Sequence, residues 1–405
     1  MELPWKLPLL LDGATGTGLM AAGMPADACV EQWVLEHPAV LAELQKAYAD
    51  AGCDVVYAST FGANRASLSR HDLAGDMRDM NLRLVELTRR AVQDTRCLVA
   101  GDLSPTGLLV EPYGDARFEE LVAIYKEQVD VLAEAGVDLF VCETMTSLTD
   151  ARAALLAART AGKPVFVTLT VDGHGRTMSG SPLLPCVITL QALGAAAVGL
   201  NCSTGLTGME DWIADVLPHA AVPLITKPNA MKKDAVGFDQ NLDPEAFAEG
   251  MKILMDAGAS IVGGCCGTTP AHLAALRRVV DQHPTVAPQE IDIDAAAGER
   301  SAFFLTDDLE PSPPIDCDSN LADELIEAED EYNVARVRIA AEEDIPELLT
   351  SASVCHLPTA IYTDSAVLLD RVLQCYPGRL LVDSVCEIER PLLEDIAAQY
   401  GAIVF

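Results

Sequence analysis

Basic side chains, aromatic rings and long apolar runs are all scarce in this chain of 405 residues. Lys and Arg number 27 against 61 Asp and Glu, which gives a net charge of -34 at pH 7. Because phosphate contacts depend on Lys and Arg, this balance argues against nucleic acid or an anionic membrane as a partner. No apolar run approaches the roughly 18 residues of a membrane span. The first residues, Met1 to Lys6, lack the features of a signal peptide. We therefore expect a cytoplasmic protein.

Cysteine is present without the features of a disulfide framework. The chain has 12 cysteines, and without a secretion signal they are better explained as reduced thiols and metal ligands. Half of the residues are hydrophobic, which is enough for a sizeable core and argues against disorder. The length allows one large domain with a smaller one, or two domains.

Eight short apolar runs, most of them followed by a helical pattern, occupy the first 284 residues. They are the runs at 9–11, 54–57, 97–100, 139–142, 165–169, 197–200, 222–225 and 259–262. Helical stretches are predicted at Met80–Thr95, Phe118–Ala135 and Pro244–Ala257, among others. Eight βα units predict a (β/α)8 TIM-type barrel over 1–284. The runs are nearly all apolar and do not alternate, as expected for strands that are buried on both faces.

Polar and glycine-rich residues follow these strands and do not precede them. The set is Asp12, Thr60, Asn64, Glu143, Asn201, Cys202, Cys265 and Cys266. In a barrel the carboxyl ends of all eight strands converge on one rim, whereas an open sheet would spread them along an edge. We therefore expect these residues to face one another. Cys202 and the pair Cys265 and Cys266 would follow strands six and eight, which are second neighbours on a closed ring.

The stretch from Gly263 to Thr268 places two adjacent cysteines at a strand-to-helix corner, and Pro270 with Thr268 or Thr269 predicts the start of the next helix. With Cys202, three thiols could bind one Zn²⁺ and leave a fourth position open. From the residues alone, two other interpretations stay open for the adjacent pair: buried small apolar side chains, or a strained vicinal disulfide. A closed structural zinc site would need a fourth ligand, for which His174 and His272 are the nearest histidines.

The composition changes beyond the barrel. Residues 285–318 are rich in Pro, Ala and acidic side chains and predict a linker. Residues 319–405 contain three further apolar runs, beginning at Thr359, Leu380 and Ala402, that alternate with helical patterns. Three strands are too few to close a barrel. We expect a small α/β lobe, or a set of strands completed by packing on a partner.

Five motifs in order resemble the zinc-dependent homocysteine S-methyltransferases, a family that includes betaine- and S-methylmethionine-dependent enzymes and the homocysteine module of cobalamin-dependent methionine synthase. The motifs are those at 12–17, 60–64, 143–144, 199–202 and 263–268. The resemblance implies that Cys202, Cys265 and Cys266 bind zinc and that Asp12 and Glu143 hold the ammonium group of homocysteine. It also implies a carboxylate site at the backbone of Gly13 and Gly16. Thr60, Asn64 and Asn201 are further expected pocket residues.

The implied reaction is methyl transfer to the thiol of homocysteine, which gives methionine. A free alkyl thiol is mostly protonated at neutral pH, and zinc favours the nucleophilic thiolate. The tail around Tyr376–Arg379 and Leu381–Val385 resembles part of the pterin-binding barrel of methionine synthase. This favours a methylated corrinoid as the donor, supplied by a separate protein, since no cobalamin-binding Asp-x-His-x-x-Gly is present.

Two alternatives remain for the function. S-methylmethionine or betaine could be the donor, although aromatic residues make up only 5% of the chain and a betaine site needs them for cation–π contacts. The chain could also be a non-catalytic zinc-binding subunit whose tail docks on a partner. The oligomeric state is not predicted.

Overall fold

Eight parallel strands form the first sheet of the protein. The structure is a computed structural model that describes residues 3–405 except 112, 234–238, 285, 287, 289, 290 and 292. The strands are β1 Leu9–Leu10, β2 Val55–Tyr57, β3 Leu98–Leu103, β4 Leu139–Met145, β5 Val165–Leu169, β6 Ala197–Cys202, β7 Leu224–Pro228 and, after a hairpin of β8 Met231–Lys233 and β9 Asp239–Asn241, β10 Ala259–Val262. Their order is β1-β10-β7-β6-β5-β4-β3-β2. A parallel bridge between Leu11 and Val55 joins the two ends of this order. The predicted eight-stranded barrel is confirmed.

The helices lie between the strands and cover the barrel from outside. They are α1 Gly16–Ala21, α2 Val30–Glu36, α3 Pro38–Asp50, α4 Arg65–Ser69, α5 Met77–Ala91, α6 Phe118–Glu134, α7 Leu148–Ala158, α8 Leu183–Ala192, α9 Met209–Val216, α10 Pro244–Asp256 and α11 Pro270–Val280. The predicted helices α6 and α10 end one residue early, whereas α5 is shifted by three or four residues. Thr269 caps α11, with Pro270 in the first turn, as predicted. None of the described helices has the length and apolar composition needed to cross a membrane.

Side chains from all eight strands fill the barrel interior with an apolar layer. This layer contains Leu9, Val55, Ala100, Leu139, Phe166, Ala197, Ile225 and Ile261. Because side chains alternate along a strand, the interior positions continue every second residue toward the carboxyl end. Ala100, Val141 and Ile225 are therefore followed, two residues later, by Asp102, Glu143 and Lys227. The strand period thus places three charged side chains above an apolar floor.

The C-terminal lobe is a five-stranded parallel sheet in which the strands are paired in sequence order. Its strands are β13 Ile315–Asp316, β14 Ala335–Arg338, β15 Thr359–Tyr362, β16 Leu381–Val382 and β17 Ile403–Val404, and its helices are α12 Leu321–Ala328, α13 Asp344–Ser351, α14 Ala366–Cys375 and α15 Arg390–Tyr400. The sequence predicts only the last three strands. It misses β13 because that strand has two residues, and β14 because Arg336 and Arg338 interrupt its apolar pattern.

The predicted linker at 285–318 contains regular structure from Ala295 onward. A hairpin of β11 Ala295–Ala297 and β12 Ala302–Phe304 lies within it, as does β13 of the C-terminal sheet. The three alanines of β11 are buried, and the hairpin packs against α8 of the barrel. Small side chains allow this close packing, although in the sequence they are typical of a linker. Several residues between 285 and 292 lie outside the described part of the chain.

Arg152 joins the barrel to the C-terminal lobe. It lies on α7, is 1% exposed, and donates from Nη1 to the Gln374 carbonyl at 3.0 Å and from Nη2 to the Leu373 carbonyl at 2.9 Å. Both carbonyls belong to the last turn of α14, where a cation also complements the helix dipole. Burial lowers the pKa of Arg152 to about 10, so the side chain stays charged at neutral pH.

Replacing Arg152 by methionine is expected to weaken this joint. Two buried carbonyls would lose a charged donor, which costs about 2–4 kcal/mol. Urea unfolding of the full chain and limited proteolysis measure the effect. Arg83→Met is the control, because Arg83 pairs with Asp79 on an exposed face and such pairs contribute at most about 1 kcal/mol. Equal protease resistance and unfolding midpoints for Arg152→Met and the wild type would contradict this role.

Candidate metal centre and amino-acid pocket

Three cysteine sulfurs meet at the carboxyl ends of the barrel strands. The Sγ atoms of Cys202, Cys265 and Cys266 all lie within 4.8 Å of one another. Cys202 ends β6, and the adjacent pair follows β10, with β7 between the two strands. All three are free thiols, so the pair is not a vicinal disulfide here. The structure therefore brings these three cysteines together, as the sequence predicts.

Backbone strain accompanies this cluster. Cys202 has φ 52°, Ser203 has φ 55° and Thr144, at the end of β4, has φ 60°. Non-glycine residues rarely adopt this left-handed conformation, and each costs on the order of 1–3 kcal/mol. Ser203 is held in place because its Oγ donates to the Asn201 carbonyl at 3.0 Å and accepts from the Val171 N–H at 3.0 Å. The end of β6 is thus held in a costly shape that brings the Cys202 sulfur toward the other two.

Thr268 ties the cysteine loop to the loop after β1. Its Oγ1 donates to the Cys265 carbonyl at 2.7 Å and accepts from the Ala14 N–H at 3.0 Å. A Cβ on Gly264 would lie 2.5 Å from the Thr268 side chain, and one on Gly13 would lie 2.8 Å from Thr268 Oγ1. Only glycine fits at either position. A substrate carboxylate is expected close to the backbone of Gly13, but in this structure the side chains of Thr268 and Tyr48 lie next to Gly13.

The thiols are chemically suited to a soft metal ion. Hydrogen bonds from Cys202 and Cys265 lower the pKa of the Cys266 thiol, whereas those to Cys265 and Cys266 raise the pKa of Cys202. The hydrogen bonds within the cluster therefore favour the thiolate form at Cys266 and the thiol form at Cys202. Thiolates are the form that zinc binds. Among the described residues, no other His, Cys, Asp or Glu belongs to this group.

The two histidines considered as a fourth ligand lie elsewhere. His272 uses Nδ1 in the cap of α11, 2.8 Å from Thr269 Oγ1, and its Nε2 is 3.0 Å from the Leu242 carbonyl. His174 lies in the turn that follows Asp172, where its N–H donates to the Asp172 carboxylate. The donor set within the described chain thus has three protein ligands, which is the number typical of catalytic zinc.

A buried lysine lies between the two acidic residues expected to bind substrate. Lys227 Nζ is 3.1 Å from Asp12 Oδ1 and 3.0 Å from Glu143 Oε1. It also lies 3.9 Å from the centre of the Tyr57 ring, a cation–π contact. Lys227 is 3% exposed. The sequence analysis does not single out Lys227, although a lysine inside the apolar run of β7 was a usable signal.

The charges of this group are strongly coupled. Burial raises the pKa of Asp12 to about 6 despite the nearby ammonium, and burial also raises the pKa of Glu143. For Lys227, burial opposes the charged form, but Asp12 and Glu143 outweigh it and raise the pKa. Lys227 is therefore an ammonium at any pH near neutrality, and it compensates one of the two carboxylates.

Asp102 is a third buried carboxyl that the sequence analysis also misses. It is 6% exposed, and its Oδ1 has no hydrogen-bond partner in the described structure. Burial, followed by the charge of Glu143, raises its pKa well above the usual value. Asp102 lies inside β3, two residues after Ala100, so the strand period was the signal that could have found it.

Two of the predicted pocket residues, Thr60 and Asn64, make hydrogen bonds within the protein. Thr60 is fully buried, and its Oγ1 donates to the Asp102 carbonyl at 2.9 Å and accepts from the Asp102 N–H at 3.0 Å. Asn64 is also fully buried and caps α4 by accepting from the Ser67 N–H. Backbone groups engage both side chains, and Asn64 Nδ2 also donates to Ser104 Oγ at 3.3 Å. Their expected place in the substrate pocket stays a prediction.

Asn201 lies closer to the site than Thr60 and Asn64 but is also engaged. Its Oδ1 accepts from the Thr144 N–H at 3.0 Å, and its Nδ2 donates to Thr144 Oγ1 at 2.7 Å. The same Nδ2 lies 3.9 Å from Cys265 Sγ. Asn201 thus holds the strained end of β4, next to Glu143, against the cysteine cluster.

Comparison with known proteins agrees with this geometry. The family model described as homocysteine S-methyltransferase matches residues 9–280. Methionine synthases of Mycobacterium tuberculosis (strain ATCC 25618 / H37Rv) and Mycobacterium leprae (strain TN) are each 32% identical over 289 residues, which is 66% of this chain and 24% of theirs. The chain thus matches about a quarter of the length of these relatives.

Among solved structures, the metallated form of the homocysteine methyltransferase MmuM from Escherichia coli superposes with a TM-score of 0.57 at 27% identity, covering 67% of this chain and 95% of that one. The apo form of the same protein gives a TM-score of 0.52. The family match spans the eight strands and all three cysteines of the cluster. The chain belongs to the homocysteine S-methyltransferase family.

Proposed function

We propose that this protein is an enzyme that transfers a methyl group to the sulfur of homocysteine and releases methionine. The observation that carries the proposal is the group of three free thiols within 4.8 Å of one another, at the mouth of a barrel that belongs to this family. The buried acidic pocket, formed by residues of β3, β4 and the loop after β1, suits the ammonium end of an amino-acid substrate.

Cys202, Cys265 and Cys266 would hold a zinc ion. Their fit rests on the donor set itself, which is three cysteine sulfurs within 4.8 Å of one another. When bound, zinc would favour the deprotonated form of an incoming thiol and leave one coordination position open for it. The protein supplies the rest: the strained turn at Cys202 fixes one sulfur, and Thr268 fixes the loop that carries the other two.

The pocket residues would position the substrate and exclude water. Glu143 lies on β4 next to Thr144, which Asn201 ties toward Cys265. An ammonium held at Glu143 would therefore lie on the same side of the barrel mouth as the sulfurs. The apolar layer beneath, together with Tyr57, closes the floor of the pocket and strengthens the ionic contacts above it.

For the methyl donor, we favour a methylated corrinoid on a separate protein. Its support is that the relatives with 32% identity are named methionine synthase, together with the resemblance of the tail to a methionine synthase segment. S-methylmethionine or betaine is the second candidate. It is favoured by the likeness to MmuM, a homocysteine methyltransferase that is covered to 95% by this match.

The test uses the full chain, loaded with zinc, and homocysteine with one donor at a time: methylcobalamin, S-methylmethionine or betaine. Methionine is measured by mass spectrometry. We expect methionine with methylcobalamin. Turnover with S-methylmethionine or betaine alone would replace the corrinoid assignment. No methionine with any donor, together with a stable complex in a pull-down, would contradict the enzyme and support a non-catalytic subunit.

A further inference from the structure

A cavity of about 600 Å³ lies between the barrel and the C-terminal lobe. On the barrel side it is lined by the loops after β3, β4 and β5 and by the first turns of α6 and α7. On the other side it is lined by α13, α14 and the turn of the β11–β12 hairpin. Neither the three cysteines of the cluster nor Glu143 and Lys227 line it. Pockets that hold small molecules usually measure about 300–1,000 Å³, so this cavity is a candidate binding site separate from the amino-acid pocket.

Large apolar side chains form much of the cavity wall. Leu109, Tyr113 and Met178 line it and are 61%, 67% and 79% exposed, which places them at its opening. The buried side chains of Phe118 and Leu121 line it further inside. Exposed apolar side chains that share one cavity are typical of a surface that is covered by a ligand. A ligand for this site should therefore have an apolar body.

The charged side chains of the cavity carry an excess of negative charge. Its three arginines each have an acidic neighbour, in the pairs Arg371 and Glu119, Arg117 and Glu120, and Arg300 and Glu299. Within the described part of the chain, no ion pair involves the remaining acidic side chains of the wall, which are Glu111, Asp150 and Glu342. An anionic ligand would find its cations already engaged, whereas a cationic ligand would find free carboxyl groups.

Asp150 is the buried member of this acidic set. It lies in the first turn of α7, is 5% exposed, and accepts at Oδ1 from the Tyr125 hydroxyl at 2.6 Å. Burial raises the pKa of Asp150 to about 6, against the Tyr125 hydrogen bond and one from the backbone of Thr106. Both of these donors are neutral, so at pH 7 a mostly ionised carboxylate faces the cavity with no described cation beside it. Because a buried charge is costly until it is paired, a ligand cation would be stabilised here.

We propose that the cavity between the barrel rim and the C-terminal lobe binds a small molecule that has an apolar body and a protonated amine. The amine pairs with Asp150, and the apolar body packs against Phe118 and beneath Leu109 and Tyr113. Since the barrel and the lobe each supply part of the wall, the bound ligand also holds the two parts together. This site goes beyond the proposed methyl transfer and does not depend on zinc.

Three fluorescent probes with the same apolar group test the proposal on the full chain. Dansylcadaverine ends in an ammonium, its N-acetyl derivative is neutral, and dansyl-ε-aminocaproate ends in a carboxylate. Dansyl fluorescence increases in apolar surroundings, so a titration gives each Kd. We expect saturable binding of dansylcadaverine, at least about 10-fold tighter than that of either other probe, which is the effect of one charged hydrogen bond.

Two variants locate the probe. Asp150→Asn should weaken dansylcadaverine by at least about 10-fold and remove its advantage over the N-acetyl derivative. Leu109→Ser should weaken all three probes by about 3–10-fold, because apolar contact area is lost at the opening. Leu392→Ser is the matched control, since Leu392 is an exposed leucine on α15 outside the cavity wall, and it should change no Kd. Melting temperatures show whether each variant keeps its fold.

Several results would overturn the proposal. These are the absence of saturable dansylcadaverine binding, equal Kd values for the three probes, and a wild-type Kd in folded Leu109→Ser. Displacement of dansylcadaverine by homocysteine would also overturn it, because the probe would then occupy the amino-acid pocket. Binding that persists with homocysteine present and is weakened by both variants supports a separate site.

Discussion

Replacing Cys266 by alanine should reduce zinc from about one ion per chain to near zero and abolish methionine formation. Two sulfurs would remain of the three that lie within 4.8 Å of one another. Changes to residues that only support metal ligands already cost about 10–100-fold in affinity, so the loss of a ligand should exceed that. Zinc is measured by plasma mass spectrometry after dialysis, and methionine by the same assay as above.

The control for this experiment is Cys317→Ala. Cys317 is half-buried in the C-terminal lobe, outside the cysteine cluster, and its replacement should leave zinc content and turnover unchanged. Cys202→Ala and Cys265→Ala should behave like Cys266→Ala. Retention of both zinc and activity in any of the three variants would contradict a three-sulfur site.

Replacing Lys227 by methionine should lower the free energy of unfolding by about 3–5 kcal/mol, because a buried carboxylate pair would lose its cation. Lys227 contacts Asp12 and Glu143 at 3.1 and 3.0 Å with almost no access to solvent. Lys252→Met is the matched control, since Lys252 pairs with Asp256 on an exposed helix face. That change should cost less than about 1 kcal/mol. Urea unfolding measures both.

The stability lost in Lys227→Met should depend on pH. In the folded wild type, the pKa of Asp12 is raised from 3.8 to about 6. Burial of Asp12 therefore lowers the free energy of unfolding above pH 6, and this destabilisation disappears as the pH falls toward 3.8. Lys227 lowers this pKa, and without it the pKa rises further. The deficit of Lys227→Met should therefore be larger at pH 8 than at pH 5.

A triple variant provides the decisive comparison for Lys227. Adding Asp12→Asn and Glu143→Gln to Lys227→Met removes the carboxylates that the lysine compensates. Part of the lost stability should return, and the difference between pH 8 and pH 5 should disappear. If the triple variant is less stable than Lys227→Met at pH 8, the lysine does not act as a counter-ion.

The barrel could be predicted because its strands are continuous apolar runs, such as Val165–Leu169, between helices with clear patterns. The C-terminal sheet was predicted only in part. Its strand Ala335–Arg338 carries two arginines, one of which, Arg336, pairs with the buried Asp383 at 2.8 Å, and a period-based analysis gives no apolar run there. The hairpin at Ala295–Phe304 was missed because its alanines, which are buried against α8, are in the sequence typical of a linker.

The cysteine cluster could be predicted because Cys202 and Cys265 each stand at the carboxyl end of a predicted strand, and these ends converge on one rim of a barrel. The charges inside the barrel were harder to find. Asp102 and Lys227 lie within strands and not after them, so attention to strand ends alone passes over both. Thr60 was assigned to the pocket because it follows a strand, but its hydroxyl donates to the backbone carbonyl of Asp102 on the neighbouring strand. Which polar side chains are consumed by the backbone is decided by packing, which the sequence does not display.

Zinc K-edge X-ray absorption on the full chain tests the central claim most directly, because it counts the sulfur atoms around the ion. With three cysteine ligands and one open position, three sulfurs at about 2.3 Å are expected without substrate, and four after addition of homocysteine. A site with three sulfurs and a protein nitrogen that homocysteine leaves unchanged would contradict the account.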